Sequence, residues 1–104
     1  MLAARLGISQ DYLLTQLRLP KSTMASRIAR NGTLSAVEQD RIYRVERVLW
    51  RSQQVFEDAA AAVAWINRPN RALGGVAPLT LLDTEAGYEL VLDTLGRIEY
   101  GVFS

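Results

Sequence analysis

Apolar residues recur along this chain at spacings of three and four, and no stretch alternates strictly, so the pattern predicts helices throughout and an all-α fold. Ser9 is a good N-cap, and Asp11 sits in the first turn, where the helix dipole favours negative charge. Leu13, Leu14 and Leu17 then form a one-sided apolar face. Leu19-Pro20 interrupts this helix. Proline is welcome in a first helical turn but cannot continue a helix, so a second helix is expected from Pro20 or Lys21 to about Arg30, with Met24 and Ile28 facing inward. Asn31-Gly32 tolerates the left-handed conformation that ends it.

Ser35-Ala36-Val37-Glu38 has the form of a capping box and opens a long helix. Its inward stripe is Ile42, Val45, Val48, Leu49 and Phe56, and Arg41, Arg44, Arg47 and Arg51 share the remaining surface. The alanine-rich run from Asp58 to Trp65 has high helix propensity and lets a neighbour approach closely. Arg68-Pro69-Asn70 breaks it, Gly74-Gly75 gives a sharp bend, and Pro78 permits a short turn through Leu79, Leu81 and Leu82. Thr84 caps the last helix, in which Val91, Leu95, Ile98 and Val102 share a face; Gly96 within it costs about 1 kcal/mol relative to alanine.

A length of 104 residues suits a single core or two small helical units, and a composition 49% apolar and 22% charged is that of a globular protein. The formal net charge of +1 conceals an asymmetry. Residues 1–54 carry nine Arg or Lys against four acids, whereas residues 55–104 carry three against seven. A basic half suits phosphates, and an acidic half suits a basic protein or its anion-binding cleft; alternatively both are solvated helix faces. The sign changes near Phe56, which sets the expected boundary between a unit at 1–56 and a unit at 57–104.

With neither histidine nor cysteine, the chain lacks the commonest general base, the commonest metal ligand, the best nucleophile and any disulfide. It reads as a non-enzyme with no cofactor and no metal. Glu85 with Glu89, and Glu89 with Asp93, lie four apart, a spacing more typical of a solvated face than of a carboxylate pair. Trp50 and Trp65 read as core or interface anchors. Gly74-Gly75 lacks the lysine and hydroxyl of a phosphate loop. No apolar run approaches the roughly 20 residues of a membrane span, so a soluble, cytoplasmic protein is expected.

Gly7 to Arg30 fits a helix-turn-helix, with the break at Arg18-Leu19-Pro20. In that arrangement Lys21, Ser22, Thr23, Ser26, Arg27 and Arg30 would enter the major groove of operator DNA. Lys21 and Arg27 are the best base or phosphate contacts, since arginine can grip guanine at two atoms. A homodimer is expected, because paired half-sites strengthen so small a module. The plainer alternative is an αα-hairpin with a wet basic face.

The segment from Trp65 through Asn67-Arg68-Pro69-Asn70 and Leu73-Gly74-Gly75 to Pro78-Leu79, followed by Leu82-Asp83-Thr84-Glu85-Ala86-Gly87 and Leu95-Gly96-Arg97-Ile98-Glu99-Tyr100-Gly101-Val102, resembles the C-terminal signature of bacterial antitoxins of the MbcA/ParS/Xre family. The N-terminal part is similar to the Xre-type repressor fold, although many such folds place glycine where this chain has Arg18, and related antitoxins carry a longer N-terminal extension. The resemblance implies a helical toxin-binding unit and, as partner, a RES-domain toxin that acts on NAD. It also implies that the antitoxin's end covers the toxin's active-site entrance. The matching residues are Arg97, Glu99, Tyr100, Val102, Phe103 and Ser104. Glu99 and the terminal carboxylate could pair with the cations of a dinucleotide cleft while Tyr100 or Phe103 fills an apolar recess. Ile98, Val102 and Phe103 could instead complete the core. Asn70, Leu73, Gly74, Gly75 and Pro78 are assigned to shaping the bend. The function so implied is the antitoxin of a type II toxin–antitoxin pair that also binds its own operator. The alternatives are a stand-alone helix-turn-helix regulator and an interaction adaptor without DNA binding.

Overall fold

The computed structural model describes residues 2–19 and 34–101. Its helices are α1 (Leu2–Arg5), α2 (Gln10–Gln16), α3 (Ala36–Phe56), α4 (Ala59–Asn67) and α5 (Glu85–Glu99), with 3₁₀ turns at Arg71–Leu73 and Pro78–Leu81 between the last two. Among the described residues there is no strand, only an isolated antiparallel bridge between Asn70 and Val76, so the all-α expectation holds. The helix expected over Pro20–Arg30, with Met24 and Ile28, lies outside the described residues, as does the Asn31-Gly32 stop. The four-residue α1 is an addition that the apolar pattern did not signal.

Local signals set the helix starts. The Ser9 hydroxyl accepts the Tyr12 amide at 3.1 Å. Ser35 and Glu38 form the full reciprocal capping box, at 3.2 and 2.7 Å. Asp58 accepts the amides of Ala60 and Ala61, and Thr84 accepts that of Gly87. Between α4 and α5 the bend forms where expected. Asn70 caps the first 3₁₀ turn through Ala72, its carbonyl accepts the Gly75 amide at 2.9 Å, and Gly74 and Gly75 take φ of 77° and 83°.

The stop of α2 carries a local strain. Arg18 has φ 55°, its amide bonds the Thr15 carbonyl, and the Leu19 amide reaches back to Leu14 at 2.9 Å. This is a Schellman ending with arginine at the left-handed position that favours glycine. Arg18→Gly and Arg18→Ala both remove the side chain, but only glycine relieves the backbone. The glycine variant is therefore expected to be the more stable by about 1 kcal/mol in urea unfolding; equal midpoints would refute this.

The core is continuous. Val45, Val48 and Leu49 of α3 are fully buried with Ile66 of α4, Val91 and Leu95 of α5, and Leu79 and Leu82 of the connecting segment. The same cluster takes in Ala3 and Leu6 from the start of the chain and Leu13, Leu14, Leu17 and Leu19 around α2. Ile42 and Phe56 pack against it half-buried, so the expected α3 stripe is the inward face. Long α3 is thus the shared wall on which α4 and α5 rest, while α2 packs on the Pro78–Leu81 turn.

Candidate functional site

The four arginines of α3 do not share one solvated face. The Arg41 guanidinium donates to the carbonyls of Leu17 and Arg18, at 3.2 and 3.1 Å, where it neutralises the end of α2. Arg44 reaches Glu85 at 3.3 Å and the Leu82 carbonyl at 3.5 Å, tying α3 to the first turn of α5. Arg51 grips Glu99 through both oxygens, the Nη1 to Oε2 distance being 3.1 Å. Arg47 instead lies over the Trp50 ring, 4.7 Å from its centroid.

With Arg18–Asp83 at 2.7 Å, the ion pairs among the described residues are Arg18–Asp83, Arg44–Glu85 and Arg51–Glu99. Each joins an arginine before Phe56 to an acid after it. Part of the charge asymmetry therefore holds the chain to itself, an outcome distinct from both readings drawn from the sequence.

The last turn of α5 brings Arg97, Glu99 and Tyr100 to one end of the molecule. Arg97 is exposed and Tyr100 is 79% exposed, whereas the Glu99 carboxylate is turned onto Arg51. Ile98 between them is half-buried. Val102, Phe103 and Ser104 lie outside the described residues. The same holds for Lys21, Ser22, Thr23, Ser26, Arg27 and Arg30, so the DNA-facing set has no structural placement here. Arg51 was read only as surface charge; its role as holder of Glu99, 48 positions away, left no local mark in the sequence.

The hydrogen bond from Arg51 holds the Glu99 carboxyl below its ordinary value, and the same bond raises the Arg51 guanidinium. A carboxyl lowered on folding contributes stability above the ordinary carboxylate range and loses it as pH falls through the lowered value. Glu99→Gln should therefore melt below the parent chain at pH 7, with the gap closing at the acid end; a gap constant with pH would count against this.

Glu85 belongs to the Arg44 contact, while Glu89 and Asp93 are exposed, so these carboxylates make no converging pair. Trp65 packs on Phe56 with ring centroids 5.8 Å apart, and Trp50 is 46% exposed. Leu73 and Pro78 are buried in the bend and Gly74 and Gly75 turn it, consistent with a shaping role. Among the described residues no helix is long and apolar enough to cross a membrane, and no cluster of three or more metal-ligating side chains occurs.

Residues 51–101 match the family model described as the antitoxin Xre/MbcA/ParS C-terminal toxin-binding domain. Residues 2–47 match that of the antitoxin Xre-like helix-turn-helix domain. The chain is 34% identical to Antitoxin Xre of Yersinia enterocolitica, over 94% of this chain and 67% of that protein. It is 40% identical to Antitoxin Xre of Photorhabdus laumondii, over 75% of this chain and 53% of that one. A protein of Sphingobium named Prs ADP-ribosylating antitoxin is 27% identical, over 97% of this chain and 69% of its own length. The chain thus spans about half to two thirds of the length of these relatives.

Proposed function

The chain belongs to the Xre/MbcA/ParS antitoxin family, and on that footing we propose that it neutralises a RES-domain, NAD-consuming toxin by laying the C-terminal end of α5 over the toxin's active-site entrance. One observation carries the reading: within the segment matched to a toxin-binding domain, Tyr100 stands almost fully exposed at the end of a helix whose last turn is fastened to α3 through Glu99. An aromatic side chain presented from a fixed helix end loses little conformational freedom on docking, which is what an interface anchor requires. Arg97 and Tyr100 make the contact in this reading, continued by Val102, Phe103 and Ser104, while Glu99 holds the turn against Arg51. The name of the Sphingobium relative supports an NAD link, since ADP-ribosylation draws its ADP-ribose from NAD.

Operator binding by Lys21, Ser22, Thr23, Ser26, Arg27 and Arg30 in the unit at 1–56 is the second part of the proposal, with two copies on paired half-sites and the unit at 57–104 left for the toxin. Its affinity would fall steeply with salt as phosphate counterions are released.

The deciding experiment measures NAD consumption by the toxin encoded beside this gene, with the full chain and with a chain ending at Gly101. Near-stoichiometric inhibition by the full chain, lost in the shortened chain at unchanged melting temperature, is the expected result. Equal inhibition by both would remove Val102, Phe103 and Ser104 from the contact, and no inhibition by either would overturn the proposal.

A further inference from the structure

The outer face of α3 is unusual for a surface helix. Ala36, Tyr43 and Trp50 follow one another at intervals of seven, so they fall on one line of the helix, and Tyr43 and Trp50 are 58% and 46% exposed. Arg47 stands between the two rings and covers the Trp50 face, with Arg5 and Glu46 lining the same shallow depression. From α5, Tyr88 adds a half-buried ring at the edge; its phenol is pushed above its ordinary value by burial first and by neighbouring Tyr43 second. Tyr, Trp and Arg are the side chains most enriched where protein interfaces concentrate their binding energy.

The charges on this face are self-complementary. Glu46 and Arg47 are adjacent and exposed, and neither makes an ion pair among the described residues. When two copies of α3 pack antiparallel about a two-fold axis between positions 46 and 47, Glu46 of each copy meets Arg47 of the other, and Tyr43 meets Trp50. Each contact then occurs twice, as an isologous interface requires. We propose that this face of α3 seats a second copy of the chain in that antiparallel register. The inference supplies the pairing on which two-half-site DNA binding depends, and in that respect rests on the reading above. Its test uses neither DNA nor toxin, so its failure would leave toxin inhibition standing.

The test is sedimentation equilibrium of the full chain and of Glu46→Arg and Arg47→Glu, alone and mixed. The parent chain should dimerise. Each variant alone sets like charges opposite each other twice, and should weaken dimerisation about tenfold or more. An equimolar mixture restores both opposite-charge pairs and should recover a heterodimer. Circular dichroism of each variant controls for folding, both positions being exposed. A monomeric parent chain, variants that dimerise as tightly as the parent, or a mixture that stays monomeric would each overturn the proposal.

Discussion

Gly87→Ala is expected to cost about 3 kcal/mol and to loosen the whole C-terminal helix, whereas Gly96→Ala, nine positions further along that helix, is expected to stabilise the chain by about 1 kcal/mol. A Cβ at position 87 would sit 2.0 Å from the Leu81 carbonyl oxygen and 2.9 Å from its carbon. Neither atom belongs to a side chain that could rotate away. The start of α5 would have to shift by roughly an ångström, disturbing the adjacent buried Leu82 and the Arg44 contacts to the Leu82 carbonyl and Glu85. At Gly96 a Cβ meets nothing within 4 Å, so only the helix propensity of alanine remains. Against a total of about 5–15 kcal/mol for a domain, the first change removes a large share of stability. Urea midpoints at unchanged slope measure both, and two shifts of the same sign would show that the close approach at Leu81 is not what selects glycine.

Leu49→Ala is expected to destabilise by about 4 kcal/mol, the upper part of the range for a fully buried leucine whose surroundings cannot collapse into the gap. Leu49 lies on α3 in the one cluster shared by α2, α4 and α5. Its loss should therefore lower helix melting by circular dichroism and tryptophan fluorescence together, at one temperature. Two separated transitions would mean that the N-terminal and C-terminal elements hold independent cores. Val37→Ala, on an exposed position of the same helix, serves as the comparison and should change little.

Much of this chain is locally written. Ser9, Ser35, Thr84 and the breaks at Arg68-Pro69 and Gly74-Gly75 act on amides and dihedrals within a few residues, and all appear where their chemistry predicts. The α3 stripe was equally legible, because a 3.6-residue period registers burial directly. The arginines were not. Arg41, Arg44, Arg47 and Arg51 look alike along the helix, yet one caps α2, two anchor the ends of α5 and one lies on an indole. The candidate toxin-facing end was legible only as a set of residues. That Glu99 is paired with Arg51 while Tyr100 is left without such a partner on the surface depends on where α3 passes.

By itself, then, the sequence determined the described helices from α2 onward, their caps and bends, and the apolar faces that must meet, since each is settled by interactions over one or two turns. The short α1 was not signalled. Tertiary structure decided what depends on approach: which arginine finds which acid, which aromatic stays in water, and why one helical glycine is required while another is not. Gly87 and Gly96 are the same residue in the same helix. Only the distance to the Leu81 carbonyl distinguishes them, and that distance exists once the chain has packed.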